Sequence, residues 1–368
     1  MGQFERWGLR QVINASGKMT ALGASAVHPE VGAVLAAAAG DYVVIEELYE
    51  AAGERIAKAT GAAFAVPTIG AASGIAISVA ACIAGTDIGA VELLPLTTTT
   101  RTEIVLPKGH AVHFGGSIIQ MMRIGGGVPV EAGHANLVTA AHIESAINER
   151  TAALFYCKSH HAVQKGMVSL ADLIKIAHKH DLPVIVDAAA EEDLKKYVAM
   201  GADLVLYSGG KAIGGPTAGF IAGTRKLVEA CVMQYKGVGR AMKVSKEAVA
   251  GLLAAIERYE QRDMQADALK DKARMEWLVQ QLATVQGVKA RITQDEAGRA
   301  IYRCSIEVLP ESGLTAAAVV AKMEAGNPAI YTRNHQVNLG IINVDPRPML
   351  PGQEEILLNK LVAIVKEG

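Results

Sequence analysis

The chain has 368 residues, which suits one large domain and one smaller domain. Its 36 Lys and Arg nearly balance 37 Asp and Glu, so the net charge of −1 argues against a nucleic-acid partner and against an anionic membrane. The four cysteines contain no CxxC pair, which disfavours a disulfide framework and a metal site and predicts reduced thiols in the cytoplasm.

The first ten residues, MGQFERWGLR, have no apolar core of a signal peptide. The most apolar stretch, residues 75–85, is too short to span a bilayer and is interrupted by Ser78, so it is predicted to be a buried helix. A loop of small residues opens this helix, and backbone N–H groups at a helix start bind anions. The candidate phosphate ligands are Gly70, Ala71, Ala72 and the Ser73 hydroxyl, although such loops often serve packing alone.

Between about residues 60 and 225, short β-branched runs alternate with helical stretches, which predicts βαβ units on a mostly parallel sheet. Strands are predicted at residues 153–157, 183–189 and 202–210. An amphipathic helix capped by Ser169 is predicted at residues 169–180, and a second helix is predicted to end at Gly201. The fold class is therefore α/β.

A lysine stands in a glycine-rich turn directly after the last of these strands, in YSGGKAIGGP (residues 207–216). Glycines allow positive φ and close approach by a ligand, so Lys211 is expected in a crowded site at a strand's carboxyl end. A tight turn with a solvated lysine is the alternative. Asp187 ends the strand PVIVD one helix and one strand earlier, and it could instead cap a helix.

Side chains at the carboxyl ends of neighbouring parallel strands converge, so Lys211 and Asp187 are expected to meet. Pyridoxal phosphate requires such a pair: an amine that forms a Schiff base and a carboxylate that keeps the pyridine nitrogen protonated. Ser208 is a candidate second phosphate donor. His113 is the candidate for stacking on the pyridine ring, with His110 as its rival.

From Ser245 to about Gln286 one long helical pattern, dense in Ala, Glu, Lys and Leu, is predicted to link two domains. Paired strands, a helix, another strand and a terminal helix follow, which predicts a small α+β domain. The expected organisation is a segment 1–45 that packs on the small domain or on a dimer partner, a large cofactor-binding domain 46–250, and the linking helix with the small domain 251–368.

The run SGGKAIGGPTAG (residues 208–219), with Asp187 upstream and VINASG (residues 12–17) near the start, resembles the selenocysteine synthase-like branch of fold type I pyridoxal-phosphate enzymes. MRIGGGVPVEAG, SHHAVQKG and RAMKVSKEAVAGLLAAIERY extend the likeness over most of residues 10–260. Within that branch, the INASG start and SHHAVQKG are similar to ammonia-lyases of D-glucosaminate 6-phosphate. The resemblance implies a fold type I architecture and a homodimer or larger homo-oligomer.

The resemblance also implies the reaction: loss of water and ammonia from a phosphorylated 2-amino-2-deoxy sugar acid, giving 2-keto-3-deoxygluconate 6-phosphate. The alternatives are a selenocysteine synthase-like transferase acting on seryl-tRNA and a non-catalytic binding protein that keeps the fold. Near-neutral charge and an early VINASG segment, with no preceding RNA-binding domain, argue against tRNA. Lys211 and Asp187 together argue against a lost activity.

A substrate with a carboxylate and a phosphate requires cationic groups. In the family, Arg333 falls where fold type I enzymes often place a carboxylate-binding arginine, and an exposed loop arginine is the alternative. Phosphate candidates are Arg240 and Lys243, with Lys246 beside them, although charged helix starts are usually only solvated. The loop after the strand ALFYC should face the crevice and adds Lys158, His161 and Gln164, together with His160 and Lys165.

Overall fold

The structure, a computed structural model, describes residues 3–159, 162–295 and 299–367. The strands in these ranges are β1 (Val12–Ala15), β2 (Phe64–Thr68), β3 (Glu103–Pro107), β4 (Val128–Ala132), β5 (Thr151–Cys157), β6 (Val184–Asp187), β7 (Leu204–Ser208), β8 (Gly219–Gly223), β9 (Val288–Gln294), β10 (Tyr302–Val308), β11 (Ala329–Thr332) and β12 (Ile341–Val344). The helices are α1 (Pro29–Gly40), α2 (Ile45–Thr60), α3 (Ala71–Ala84), α4 (Ile88–Leu93), α5 (Ile118–Ile124), α6 (Ala140–Ala146), α7 (Leu170–Lys179), α8 (Lys196–Ala199), α9 (Arg225–Met233), α10 (Lys246–Glu260), α11 (Met264–Leu282), α12 (Ala316–Ala325) and α13 (Gln353–Glu367).

The larger of two compact units spans Val27–Gln261 and holds a seven-stranded sheet in the order β2-β8-β7-β6-β5-β3-β4. Strands β4, β3, β5, β6 and β7 run parallel, and β8 is antiparallel to both of its neighbours. This topology confirms the predicted mostly parallel α/β sheet. Every residue of β5 is buried, as expected for a strand covered on both faces.

Helix α3 is the predicted buried helix, and small residues let it lie close to the sheet. A Cβ added to Gly74 would already be in contact with the Leu206 and Ile221 side chains, at 3.5 and 3.6 Å. The cap of α7 is also as predicted, because the Ser169 hydroxyl accepts the Asp172 N–H at 3.1 Å. The helix predicted to end at Gly201 shrinks to the four residues of α8.

The long helix predicted from Ser245 to Gln286 is wrong, since the chain forms two helices, α10 and α11. The Asp263 carboxylate accepts the backbone N–H groups of Gln265 and Ala266, at 3.0 and 2.9 Å, and so starts a new helix. The boundary between the compact units falls in this break, after Gln261. At the other end, Met1–Ala26 belongs to the smaller unit, so the unit boundaries differ from the expected residues 45 and 250.

The smaller unit, Met1–Ala26 with Arg262–Gly368, contains two sheets. Strands β9, β10 and β12 form an antiparallel sheet in the order β12-β10-β9, which agrees with the predicted paired strands of the tail. Strand β1 pairs in parallel with β11, a strand that the sequence pattern did not reveal. Helices α11, α12 and α13 share one core with these sheets.

Among the described residues, none of the helices combines the length and apolarity that crossing a bilayer requires.

Candidate active site

The carboxyl ends of β5, β6 and β7 lie at one edge of the large sheet, and the predicted catalytic residues lie at these strand ends. Cys157 and Asp187, the last residues of β5 and β6, are register partners, and Asp187 is in turn aligned with Leu206 of β7. The Lys158 N–H continues the pairing by donating to the Asp187 carbonyl at 2.8 Å. Because Ser208 ends β7 and Lys211 lies three residues beyond it, both are at this same edge of the sheet.

Lys211 lies in a tight turn that hydrogen bonds hold on both sides. The Gly209 N–H donates to the Ala218 carbonyl at 2.8 Å, and the Gly215 N–H donates to the Gly209 carbonyl at 2.7 Å. Gly214 has a φ of +75°, in the left-handed region that favours glycine. The glycines therefore allow the backbone to fold back on itself in this turn, where Lys211 is half-buried.

Asp187 is the buried carboxylate of the site, with 5% of its surface exposed. Its Oδ1 accepts the Ala189 N–H at 3.0 Å. Burial raises the pKa of Asp187, and the nearby positive charge of Lys211 opposes that rise. A buried carboxylate of this kind is stabilised in its ionised form by a cationic partner.

Cys157 is a site residue that sequence reasoning missed. Its thiol lies 3.7 Å from the Asp187 Oδ2 and donates to it. Burial raises the pKa of Cys157 well above its ordinary value, so the thiol keeps its proton and acts only as a donor. Its position as the last residue of a strand was the available signal, because the register of parallel strands aligns it with Asp187.

The small-residue loop lies between β2 and α3 at the same edge. Thr68 of β2 pairs with Gly219 of β8, and Gly219 pairs with Ser208 of β7. A Cβ on Gly219 would lie 3.0 Å from the Gly70 backbone and 2.5 Å from the Tyr207 carbonyl oxygen. Only glycine therefore fits at this position, between the small-residue loop and the end of β7, which carry the candidate phosphate-binding groups. The geometry thus brings the predicted loop and Ser208 to either side of one strand.

The Ser73 hydroxyl differs from its expected role, because it donates to the Gly70 carbonyl at 2.7 Å. The Ser73 hydroxyl must break this hydrogen bond before it can donate to a phosphate. The backbone N–H groups of Ala71 and Ala72, in the first turn of α3, are the groups that a helix start offers to an anion.

The two histidines of the KGHAVH segment have different environments. His110 is fully buried, its Nε2 donates to the Val163 carbonyl at 3.0 Å, and its Nδ1 accepts the Cys157 N–H at 3.2 Å. Burial lowers the pKa of His110 to about 4, so the ring is neutral. His110 therefore holds the loop after β5, whereas His113 is exposed and keeps its ring surface accessible.

Two of the loop residues predicted to contact substrate bind each other. The Lys158 Nζ donates to the Gln164 Oε1 at 2.9 Å, and the Gln164 amide donates to the Cys157 carbonyl at 3.0 Å. The loop is thereby tied to the end of β5, next to Asp187. His160 and His161 lie outside the described residues.

Arg240 and Lys243 are exposed cations in a segment that reaches β2 through two tyrosines. The Tyr235 hydroxyl donates to the Pro67 carbonyl at 2.8 Å, and the Tyr49 ring packs edge-on against Tyr235 at 5.5 Å. Burial raises the pKa of Tyr49, and the charge of Arg240 opposes this rise. Arg240 therefore lies close to the end of β2 that precedes the small-residue loop.

Lys246 has a structural role instead of the expected phosphate contact. Its Nζ donates to the carbonyls of Ala38 and Ala39 at the end of α1, at 2.5 and 2.9 Å. A lysine at this position satisfies carbonyls that a helix end leaves without partners.

Arg333 belongs to the smaller unit and follows β11. Its backbone bridges Asn343, with an N–H to carbonyl distance of 2.8 Å in one direction and 3.1 Å in the other. Burial and the neighbouring charge of Arg303 lower the pKa of Arg333. The guanidinium is therefore a partly desolvated cation and not the freely solvated loop arginine of the alternative interpretation.

The edge of the large sheet fits pyridoxal phosphate. It offers a lysine amine, a buried carboxylate whose raised pKa calls for a cationic partner such as a protonated ring nitrogen, and a helix start for the phosphate. Lys211, Asp187, residues 70–73 and Ser208 would hold these three parts of the cofactor.

Known proteins similar to this chain agree with that fit. The D-glucosaminate-6-phosphate ammonia lyase of Salmonella typhimurium is 44% identical over 99% of this chain and 98% of its own length. A solved structure of D-glucosaminate-6-phosphate ammonia-lyase superimposes with a TM-score of 0.94 over 100% of this chain and 99% of that one. The 5'-C-glycyluridine monooxygenase-decarboxylase of Streptomyces sp. is 43% identical over 98% of this chain and 91% of its own length.

More distant similarity establishes the fold class. A structure of SPT with pyridoxal phosphate as its internal aldimine, at 15% identity, matches 97% of this chain and 88% of its own with a TM-score of 0.59. The family model described as L-seryl-tRNA selenium transferase matches residues 12–322. The chain thus belongs to the L-seryl-tRNA selenium transferase (SelA) family of fold type I pyridoxal-phosphate enzymes.

Proposed function

We propose that this chain is a pyridoxal-phosphate-dependent ammonia-lyase that converts D-glucosaminate 6-phosphate to 2-keto-3-deoxygluconate 6-phosphate and ammonia. The observation that carries the proposal is the proximity of the Lys211 charge to the buried Asp187 carboxylate at one edge of the sheet. The chain that holds this pair is 44% identical, over nearly its whole length, to a lyase named for that substrate. Both residues that the cofactor chemistry requires are present.

Pyridoxal phosphate, when bound, supplies an electron sink that stabilises negative charge at the substrate Cα. Lys211 would hold the cofactor through its Nζ, and the same Nζ, once free, would be the base that removes the Cα proton. Asp187 would keep the pyridine nitrogen protonated, and the Ala189 N–H stabilises the charge of its carboxylate. Residues 70–73 and Ser208 would bind the cofactor phosphate, and His113 would stack on the pyridine ring.

The hydroxyl on the adjacent carbon leaves as water, and this elimination yields an enamine. Hydrolysis of the enamine consumes one water and releases ammonia and the 2-keto-3-deoxy acid. Water released in the first step is balanced by water taken up in the second, so the reaction needs no oxidant.

The substrate's two anions are proposed to meet cations from different parts of the chain. Arg333 binds the carboxylate, for which a planar, partly desolvated guanidinium is suited. Arg240 and Lys243 bind the substrate phosphate. Lys158, Gln164 and His161 contact the remainder of the sugar acid, and the hydrogen bond between Lys158 and Gln164 must open for this.

The enzyme is proposed to act in the cytoplasm, without a nucleic-acid partner, as a homodimer or a larger assembly built from dimers. In the family, the neighbouring subunit completes each site, so assembly and activity should be lost together. Sedimentation of the active enzyme tests this, and a stable, active monomer contradicts it.

The test of the reaction is an assay of ammonia and 2-keto acid with D-glucosaminate 6-phosphate, D-glucosaminate and serine as separate substrates. One charge-assisted contact is worth about 1.5–3 kcal/mol, so removing the substrate phosphate should lower kcat/KM by roughly ten- to a hundredfold. Arg240→Gln and Lys243→Gln should each reduce this preference. Lys236→Gln, an exposed lysine just before this segment, is the matched control and should keep it.

The same assay separates the other reactions of the family. Oxygen consumption with release of carbon dioxide would place the chain with the monooxygenase-decarboxylase that is 43% identical to it. Selenium or sulfur transfer to seryl-tRNA would place it with the selenium transferases and overturn the lyase proposal.

A further inference from the structure

Cys157 lies against the Asp187 carboxylate at the carboxyl end of β5. It is the last residue of that strand, none of its surface is exposed, and its thiol donates to the Asp187 Oδ2 at 3.7 Å. Sulfur is larger than oxygen, so a thiol can form a weak hydrogen bond at this separation. One oxygen of the buried carboxylate therefore has a side-chain donor.

A second donor occupies the other oxygen of the carboxylate. The Ala189 N–H donates to the Asp187 Oδ1 at 3.0 Å, from the loop that follows β6. The two donors come from different segments of the chain, and each acts on one oxygen. Rotation of a carboxylate about its last side-chain bond is otherwise only loosely restricted, so donors at both oxygens fix its plane.

The backbone of Cys157 holds the thiol in place. Its N–H donates to the Nδ1 of the buried His110 at 3.2 Å, and its carbonyl accepts the Gln164 amide at 3.0 Å. Cys157 is also the register partner of Asp187, and the next N–H, that of Lys158, donates to the Asp187 carbonyl at 2.8 Å. These bonds on both sides of Cys157 keep its side chain beside the carboxylate.

The charges around the pair favour a thiol that keeps its proton. Burial and the negative charge of Asp187 raise the pKa of Cys157 well above its ordinary value. The positive charges of Lys211 and Lys158 oppose this rise. Burial, and to a smaller extent the charge of Glu191, raise the pKa of Asp187, whereas Lys211 and the thiol lower it. The thiol thus stabilises the ionised carboxylate as a neutral donor.

We propose that Cys157 is a positioning residue that fixes the orientation of the Asp187 carboxylate and limits its strength as the partner of the cofactor's ring nitrogen. A thiol is a weaker donor than a hydroxyl, so it orients the carboxylate while leaving it basic enough to keep that nitrogen protonated. The role toward the ring nitrogen rests on the proposed function. The hydrogen bond between Cys157 and Asp187 does not.

The first test measures the S–H stretching band of Cys157 in the infrared spectrum of the cofactor-loaded enzyme, and its loss in Cys157→Ala identifies it. A hydrogen bond to a carboxylate lowers and broadens this band, so it should lie below the band of Cys304, which packs in an apolar core. Asp187→Asn should raise it, because an amide oxygen is a weaker acceptor. A Cys157 band at the Cys304 position, or one that Asp187→Asn leaves unmoved, refutes the hydrogen bond.

The second test follows the visible absorbance of the bound cofactor as the pH is raised, without substrate. Cys157→Ala removes a donor that partly neutralises Asp187, so the protonated form of the cofactor is stabilised. The midpoint should rise by about 0.3–1 pH unit. Cys157→Ser keeps a hydroxyl donor and should move the midpoint upward by less than Cys157→Ala does, or downward.

Cys231→Ala is the matched control for the second test, because it removes an equally buried thiol from α9 of the same unit. It should leave the midpoint at the wild-type value. An unchanged midpoint in Cys157→Ala overturns the proposal. So does an equal upward shift in Cys157→Ser or in Cys231→Ala, because a loss of packing alone would produce it.

Kinetics separate this role from the proposed function. Cys157→Ala should lower kcat for D-glucosaminate 6-phosphate about two- to tenfold with KM unchanged, because the thiol contacts Asp187 and not the substrate. An unchanged kcat, or a loss confined to KM, contradicts a positioning role. A wild-type enzyme that does not turn over this compound refutes the proposed function, while the S–H band and the absorbance midpoint still decide the role of Cys157.

Discussion

The two units use charged residues in opposite ways. In the larger unit, Lys211 and Asp187 come from the ends of parallel strands, where each strand contributes one side chain and a turn. In the smaller unit, Arg303 and Asp345 are buried beside an antiparallel sheet, and the Arg303 Nε donates to the Asp345 carboxylate. A strand end leaves a side chain available for chemistry, whereas a buried face requires every charge to be compensated. Substitutions at the edge should therefore reduce activity, and substitutions on the face should reduce stability.

The largest expected effect tests the edge. Lys211→Ala should lower activity by at least about 10⁴-fold, because it removes the amine that is proposed both to carry the cofactor and to act as the base. The free energy of unfolding in urea should change by less than about 1 kcal/mol. Borohydride reduction of the wild type followed by peptide mapping should place the cofactor label on Lys211. Label on another lysine contradicts the assignment, and Lys175→Ala, an exposed lysine, serves as the control.

The corresponding test of the face is Asp345→Ala. It leaves the buried Arg303 and the partly exposed Arg347 without the carboxylate that they share, which should cost about 3–5 kcal/mol of unfolding free energy in urea. Asp267→Ala breaks an exposed ion pair with Arg262 and should cost less than about 1 kcal/mol. Equal costs for the two variants would remove the contrast between a buried and an exposed pair.

Asp187→Asn probes whether a buried carboxylate at the edge serves chemistry rather than folding. The amide cannot hold the pyridine nitrogen protonated, so kcat should fall about 100- to 1000-fold while the cofactor stays bound. The urea midpoint should not fall, because the variant removes a buried charge. Turnover close to that of the wild type would exclude Asp187 from the mechanism.

The smallest effect belongs to a histidine that the edge uses for structure. The folded pKa of His110 is about 4 against an ordinary 6.5, so the unfolded chain takes up a proton first as the pH falls. The neutral His110 ring therefore contributes fully to the free energy of unfolding above pH 6.5. This contribution, up to about 3 kcal/mol, is lost as the pH falls from 6.5 to about 4. The difference in unfolding free energy between wild type and His110→Asn should follow this window. His134→Asn, at an exposed histidine, serves as the control.

The edge was predictable from sequence because strand-end geometry follows from chain order alone. A strand, its terminal Asp187 and the later glycine turn around Lys211 can be recognised without knowing any long-range contact. The sequence could not show which of His110 and His113 is structural, because the hydrogen-bond partner of His110 is the Val163 carbonyl, more than fifty residues away in the chain. Lys246 was proposed as a phosphate ligand because its actual partners, carbonyls of α1, are also far away in the sequence.

The buried ion pair between Arg303 and Asp345 could not be predicted from the sequence. Arg303 and Asp345 lie on strands β10 and β12, and their pairing depends on an antiparallel register that connection length and tertiary packing determine. The break between α10 and α11 had a local signal in Asp263, but the surrounding Ala-, Glu- and Lys-rich pattern is continuous on both sides.

Strand β8 fixes the spacing between two parts of the candidate site, because it lies between β2 and β7. It begins at Gly219 between the end of β2 and the end of β7, and neighbouring strands lie about 4.8 Å apart, so the small-residue loop and the lysine turn start roughly 10 Å from each other. Backbone hydrogen bonds set this length, and no side chain takes part in it. Side chains around the edge can therefore differ between relatives while the distance between the small-residue loop and the lysine turn stays constant.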